Sequence, residues 1–119
     1  MDLEQLLEDF ESTSWEWESG RGLYLVDRMG LGFEARFKRT RQDAGCIELA
    51  TRNPTGPLEW PTQKSAMRAC VLHFVLLETM PPQRAADYIA SCTADYFSRA
   101  RGTLPGVAPA LPTPHGAWL

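Results

Sequence analysis

The sequence predicts an α+β fold: an N-terminal helix, an antiparallel meander of three or four strands, and two C-terminal helices packed on one face of the sheet. Apolar residues recur at helical spacing at the start, alternate with polar residues in the middle, and form two helical stripes on either side of Pro81-Pro82. With 119 residues, the chain has the length of one domain. We place this domain at residues 1–101 and expect residues 102–119 to form an extended tail rich in Pro and Gly.

The first helix is predicted over residues 2–12. Its apolar stripe has the spacing of one helix face and consists of Leu3, Leu6, Leu7 and Phe10. Most of the residues between these positions are acidic, and Ser12-Thr13-Ser14 follows them. The segment is therefore expected to be a short amphipathic helix with an acidic outer face.

The strands that follow are predicted from alternation. Phe33, Ala35 and Phe37 alternate with charged residues, which is typical of a strand with one buried face. Turn signals that contain Gly separate the strands, at residues 20–22, 29–32 and 42–45. Trp15 and Trp17 lie on either side of Glu16, so in a strand they share a face. Both tryptophans are then core residues or, if exposed, anchors for a partner.

Proline punctuates the second half of the chain. Pro54, Pro57 and Pro61 predict an irregular connection over residues 53–61. Thr62 is a suitable N-cap for the most apolar segment, a central helix over residues 62–79. Pro81-Pro82 ends that helix and begins the last one, which is predicted to run to about Arg101.

Several functional classes are excluded by composition. No apolar run approaches the length of about 20 residues that spans a bilayer, so we expect no membrane partner. The start of the chain is acidic where a signal peptide is basic, so we expect a cytoplasmic protein. Cys46, Cys70 and Cys92 are odd in number and far apart, which argues against a disulfide framework.

The sequence contains no pattern typical of an active site. Cys70 and His73 are three residues apart on a predicted helix, and they are interpreted as core or rim residues because no third group converges on them. His115 lies in the tail. The cysteines and histidines lack the spacing of metal ligands. We therefore expect a protein that is not an enzyme, with no catalytic residue, metal or cofactor.

Charge is strongly segregated along the chain. Residues 1–20 carry seven carboxylates and no Lys or Arg, whereas the rest of the chain carries eight acidic and twelve basic residues. Like charges repel one another, so an acidic segment without bases is either a solubilising cap or a surface for a basic protein or ribonucleoprotein. The predicted partner-binding residues are Asp2, Glu4, Glu8, Asp9, Glu11, Glu16 and Glu18.

A basic cluster supports an alternative. A cluster of four bases around the end of a predicted strand is suited to contacting phosphates; it consists of Arg36, Lys38, Arg39 and Arg41. The cluster lacks interleaved aromatic residues, and the protein is acidic overall, with a pI of about 5.3. A solvated strand face, paired with residues such as Glu34 and Glu48, is the favoured interpretation, and direct nucleic-acid binding is the less favoured one.

One family resemblance bears on function. The Trp-x-Trp opening, the Gly-marked meander, Gly45-Cys46-Ile47-Glu48-Leu49 and the segment Pro61-Thr62-Gln63-Lys64-Ser65-Ala66-Met67-Arg68-Ala69 resemble small phage and mobile-element proteins. Among these, residues 15–78 are similar to anti-CRISPR proteins that act on type I surveillance complexes. The resemblance implies a non-enzymatic inhibitor in the cytoplasm of a bacterial host, which blocks DNA binding or nuclease recruitment.

Two other functions remain open from the sequence. One is an acidic chaperone or adaptor for a secreted protein, and the other is a small phage nucleic-acid-binding regulator that uses the basic cluster. Whichever of these functions it has, including inhibition, the protein is expected to be a monomer or a homodimer.

Overall fold

The computed structural model describes residues 2–53 and 56–100 of the chain. Three helices and six strands lie within these residues, in the order α1 (Leu3–Glu11), β1 (Glu16–Glu18), β2 (Leu23–Met29), β3 (Gly32–Lys38), β4 (Ile47–Glu48), β5 (Thr51–Asn53), β6 (Gly56–Leu58), α2 (Gln63–Leu76) and α3 (Pro82–Ala100). The predicted α+β fold is confirmed. The predicted tail, residues 102–119, lies outside the described residues. No described helix is both long and apolar enough to cross a membrane.

The meander is a four-stranded antiparallel sheet in the order β1-β2-β3-β4. Its register aligns Trp17 with Tyr24 and Tyr24 with Phe37, so these three aromatic side chains share one face. All three are buried, and this face forms the core with α2. A two-residue turn joins β2 to β3, and Gly30 adopts a left-handed φ of 56° there, as Gly does readily.

The segment predicted to be irregular contains a second, two-stranded sheet. β5 pairs with β6 over residues 51–58, and Pro57 lies in β6. The prediction of an irregular connection was wrong because Pro is tolerated where a strand does not need its N–H group for a ladder. After this excursion the chain returns to the main sheet at Trp60, whose N–H donates to Phe33 O at 2.9 Å and whose carbonyl accepts from Phe33 N at 2.9 Å.

α2 is the central helix, as predicted, although it ends at Leu76 and residues 77–80 form turns. Thr62 is its N-cap, and the Thr62 and Ser65 side chains each accept the other's backbone N–H in a capping box. Nine of its residues are buried, which explains why its sequence is apolar around most of the circumference. α1 packs on α2, and α3 packs beside α2 and against β5.

Trp15 departs from its predicted position. It lies before β1 with a φ of 65°, a backbone conformation that residues other than Gly rarely adopt. It is half-buried, and its ring meets the ring of Phe33 edge-on at 5.9 Å. Trp17, by contrast, is 7% exposed and belongs to the core. The two tryptophans therefore do not form one exposed pair of anchors.

Candidate functional site

The acidic helix α1 is held rigidly against the core. Leu7 and Phe10 are buried, and the Phe10 ring lies 5.6 Å from that of Trp17. The Asp2 side chain caps the helix by accepting the Glu4 N–H at 3.0 Å. Burial of apolar side chains on one stripe fixes which side of α1 faces solvent.

The opposite side of α1 is an acidic outer face, made up of Asp2, Glu4, Glu8, Asp9 and Glu11. All five residues are exposed. Among the described residues, Glu8, Asp9 and Glu11 form no ion pair with a Lys or Arg; Asp9 accepts a hydrogen bond from Gln5 Nε2 at 3.1 Å. Lys64 lines a cleft with Glu11 without pairing with it. Within the part of the chain that the structure describes, these three carboxylates therefore have no cation partner.

Glu16 and Glu18 belong to a different surface. They lie on β1 and point to the open face of the sheet, away from the helices, because Trp17 between them is buried. Arg41 Nη1 donates to Glu16 Oε2 at 3.3 Å, and its Nη2 donates to Glu18 Oε1 at 3.2 Å. The seven predicted binding residues are thus divided between two surfaces, and Glu16 and Glu18 share Arg41 as a basic partner.

The basic cluster is also partly neutralised. Arg36 donates to Asp27 and lies 3.7 Å from Glu34, as well as opposite Glu48 in the register. The hydrogen bond to Asp27 raises the pKa of Arg36. Lys38 and Arg39 form no ion pair with a described residue. The open face of the sheet therefore mixes both signs, as the interpretation of a solvated strand face predicts.

His73 is buried and serves as a bridge between three elements. The Tyr24 hydroxyl lies 2.7 Å from His73 Nδ1, and His73 Nε2 lies 2.9 Å from Pro82 O. A carbonyl oxygen only accepts, so Nε2 carries the proton and Nδ1 accepts from Tyr24. Burial lowers the pKa of His73 to about 4, and the hydrogen bond to Pro82 opposes that shift. A neutral imidazole with both nitrogens satisfied connects β2, α2 and the start of α3.

Cys70 does not form a reactive pair with His73. Both residues are 0% exposed, and burial raises the pKa of the Cys70 thiol. Their complete burial agrees with the first of the two predicted alternatives, core or rim. Within the described parts of the chain, no group of three or more His, Cys, Asp or Glu side chains is placed to hold a metal ion.

The tip of the β2–β3 hairpin is an exposed apolar feature that the sequence did not single out. Met29 is 46% exposed and Leu31 is fully exposed, although polar residues are usual in such turns. The feature of the sequence that could have indicated this exposed apolar tip is Leu31, an apolar residue next to a turn glycine. The Trp15 carbonyl, between α1 and β1, accepts a hydrogen bond from Val26 N in β2 at 3.0 Å.

Any inference about function depends on these surfaces. No family model matches the chain, and no curated protein or solved structure is significantly similar to it.

Proposed function

We propose that this protein is a non-enzymatic binding protein that presents the acidic outer face of α1 to a basic surface on its partner. The observation that carries the proposal is that Glu8, Asp9 and Glu11 are exposed on a rigidly seated helix without a cation among the described residues. Unpaired surface charge of one sign does not contribute to folding, but it steers association and selects a complementary partner.

Because α1 is already fixed against the core, it is a preformed binding surface. Leu7 and Phe10 already hold the helix in place, so binding orders only exposed side chains and the entropic cost is small. Arrays of carboxylates on a rigid scaffold are suited to basic protein surfaces, including those that otherwise hold nucleic-acid phosphates.

The resemblance to anti-CRISPR proteins identifies the partner to test first. A type I surveillance complex is a ribonucleoprotein with basic surfaces for DNA, and occupation of such a surface blocks DNA binding or nuclease recruitment. Steric inhibition needs no catalytic group, which agrees with the burial of His73 and Cys70. An interface of about 800 Å² per partner is typical of stable complexes.

The direct test compares two double variants with the same change in net charge. Glu8→Lys/Glu11→Lys reverses charges on α1, and Glu48→Lys/Asp87→Lys reverses exposed charges on β4 and α3. Binding to a purified, guide-loaded type I complex is measured by biolayer interferometry. We expect the α1 variant to bind at least about 30-fold more weakly and the control variant to bind within about threefold of wild type. Equal losses in both variants, or no binding by the wild type, would contradict the proposal.

The adaptor or chaperone function is the second candidate, because Met29 and Leu31 expose apolar surface at the hairpin tip. It predicts a homodimer in light scattering that Leu31→Ser disrupts.

The nucleic-acid alternative is weakened by the ion pairs of Arg36 and Arg41. A gel shift at low salt tests it, since absence of retardation eliminates direct binding.

A further inference from the structure

A groove opens at the end of β3, at the opposite end of the sheet from the β2–β3 hairpin. It has a volume of about 460 Å³ and is lined by Arg21, Phe37, Arg39, Leu77, Met80 and Pro82. These residues come from the β1–β2 turn, from β3 and the residue after it, and from the α2–α3 connection with the first residue of α3. The volume lies within the range of roughly 300–1,000 Å³ that is usual for ligand sites.

The floor of the groove is apolar. The Phe37 side chain is 1% exposed, and Leu77 and Met80 are half-buried. Gly22 allows this arrangement, because a Cβ atom at that position would lie 2.2 Å from Cε2 of the Phe37 ring. Half-buried aliphatic groups still contact water, so a ligand that covers them gains the free energy of their burial.

The rim of the groove carries one unpaired cation. Arg39 is exposed and forms no hydrogen bond or ion pair with a described residue. Arg21 differs, because its Nη1 donates to Phe74 O at 2.6 Å and its Nη2 donates to Glu78 Oε1 at 3.1 Å. The Arg21 side chain is therefore fixed as part of the groove wall, whereas the Arg39 side chain is available to bind an anion.

Part of the groove lining is shared with a neighbouring hollow. A second hollow of about 260 Å³ shares Phe37 and Arg39 with the first and adds Lys38, Ile47 and one carboxylate, Asp43. That carboxylate accepts hydrogen bonds from the backbone N–H of Thr40 at 3.4 Å and from its hydroxyl at 3.1 Å. Arg39, which forms no ion pair with a described residue, therefore lines both hollows.

We infer that this groove binds an extended acidic segment of a partner protein in which aliphatic side chains alternate with carboxylates. Aliphatic groups would cover the half-buried Leu77 and Met80, and a carboxylate would accept two hydrogen bonds from the Arg39 guanidinium. A peptide fits better than a fatty acid because Arg39 lines both hollows, so an extended chain with a carboxylate at Arg39 can contact both of them. The site is independent of the acidic outer face of α1.

The probe is the peptide acetyl-Leu-Glu-Leu-Glu-Leu-amide, titrated into the full ¹⁵N-labelled chain and followed by NMR. We expect chemical-shift changes at the backbone amides of Arg39, Leu77 and Met80. Arg39→Glu is expected to weaken binding by roughly tenfold, because it replaces an attraction with a repulsion. Lys64→Glu makes the same charge change at the start of α2, away from the groove, and is expected to leave the affinity unchanged.

Three outcomes would overturn the inference. The first is no shift at the lining residues with about 5 mM peptide, a concentration that detects even millimolar affinity. The second is equal binding of a peptide with Lys in place of Glu, or equal binding by Arg39→Glu. The third is binding of decanoate without binding of the peptide, which would assign the groove to a fatty carboxylate. None of these outcomes involves the ribonucleoprotein, so each is separate from the test of α1.

Discussion

The two faces of the four-stranded sheet treat polar groups differently. On the covered face, the Tyr24 hydroxyl and the His73 ring are buried and hydrogen-bonded to each other, and the second nitrogen of His73 is bonded to Pro82 O. The open face carries many charged groups that pair with one another while exposed to water, such as Arg36 with Asp27 and Arg41 with Glu18. Buried polar groups affect stability strongly and exposed pairs affect it weakly. Stability is therefore expected to depend mainly on the covered face. Glu8, Asp9 and Glu11 on α1 form no ion pair with a Lys or Arg among the described residues.

Acid is expected to produce the largest effect, through the covered face. The unfolded chain protonates His73 near pH 6.5, whereas burial lowers its pKa in the folded protein to about 4. Between these pH values the unfolded state binds more protons than the folded state does. The contribution of neutral His73 to the free energy of unfolding is therefore fully present above pH 6.5 and is lost as the pH decreases to 4. The loss amounts to roughly 3 kcal/mol, measured by urea unfolding at a series of pH values. His73→Gln keeps a hydrogen-bond donor near Pro82 and should remove most of the dependence of the free energy of unfolding on pH between 4 and 6.5. If the variant kept the full dependence, His73 would not be its cause.

Tyr24→Phe tests the same bridge at constant pH. The variant keeps the ring but removes the hydroxyl that donates to His73 Nδ1, so a buried acceptor loses its partner. We expect the free energy of unfolding to fall by about 1–3 kcal/mol at pH 7. Denaturant unfolding measures the change. Tyr88→Phe, on the exposed side of α3, is the control and should be near neutral.

Arg36→Ala tests the open face. Arg36 pairs with Asp27 and Glu34, but its side chain is 34% exposed and solvent screens both contacts. The expected loss of stability is at most about 1 kcal/mol, and it should shrink in high salt. Lys38→Ala, on the same strand and face without an ion pair among the described residues, should cost less. A loss as large as that of Tyr24→Phe would break the distinction between the two faces.

Charge reversal on α1 is expected to have the smallest effect on stability. Glu8 and Glu11 have no cation partner in the described structure, and a Lys near the end of a helix interacts favourably with its dipole. Glu8→Lys/Glu11→Lys should therefore change the free energy of unfolding by less than about 0.5 kcal/mol. Thermal unfolding checks this. A substantial loss would show that these carboxylates contribute to folding.

Local pattern in the sequence predicted most of the fold. The stripe of α1, the alternation of β3 and the cap at Thr62 each reflect forces within a few residues, and the structure confirms them. The β5–β6 hairpin was missed because the prolines predict a break, whereas Pro57 is compatible with a two-stranded sheet.

The surfaces were harder to predict than the fold. Arg41 reaches Glu16 and Glu18 across more than twenty residues of sequence, so no local pattern reveals that these acids are paired. The groove is a similar case, since the turn that carries Arg21 meets the end of α2 through contacts more than fifty residues apart. Charge segregation correctly singled out α1 as acidic, but only the folded structure separates its carboxylates from those of β1.

The salt dependence of partner binding tests the central claim most directly. If the acidic outer face of α1 meets a basic surface, the affinity of wild type for a type I complex should fall at least about tenfold between about 50 and 300 mM NaCl, because salt screens exposed charges. Glu8→Lys/Glu11→Lys should flatten or reverse this dependence, and Glu48→Lys/Asp87→Lys should retain it. An affinity that is insensitive to salt in the wild type, or a slope that the α1 variant leaves unchanged, would contradict the claim.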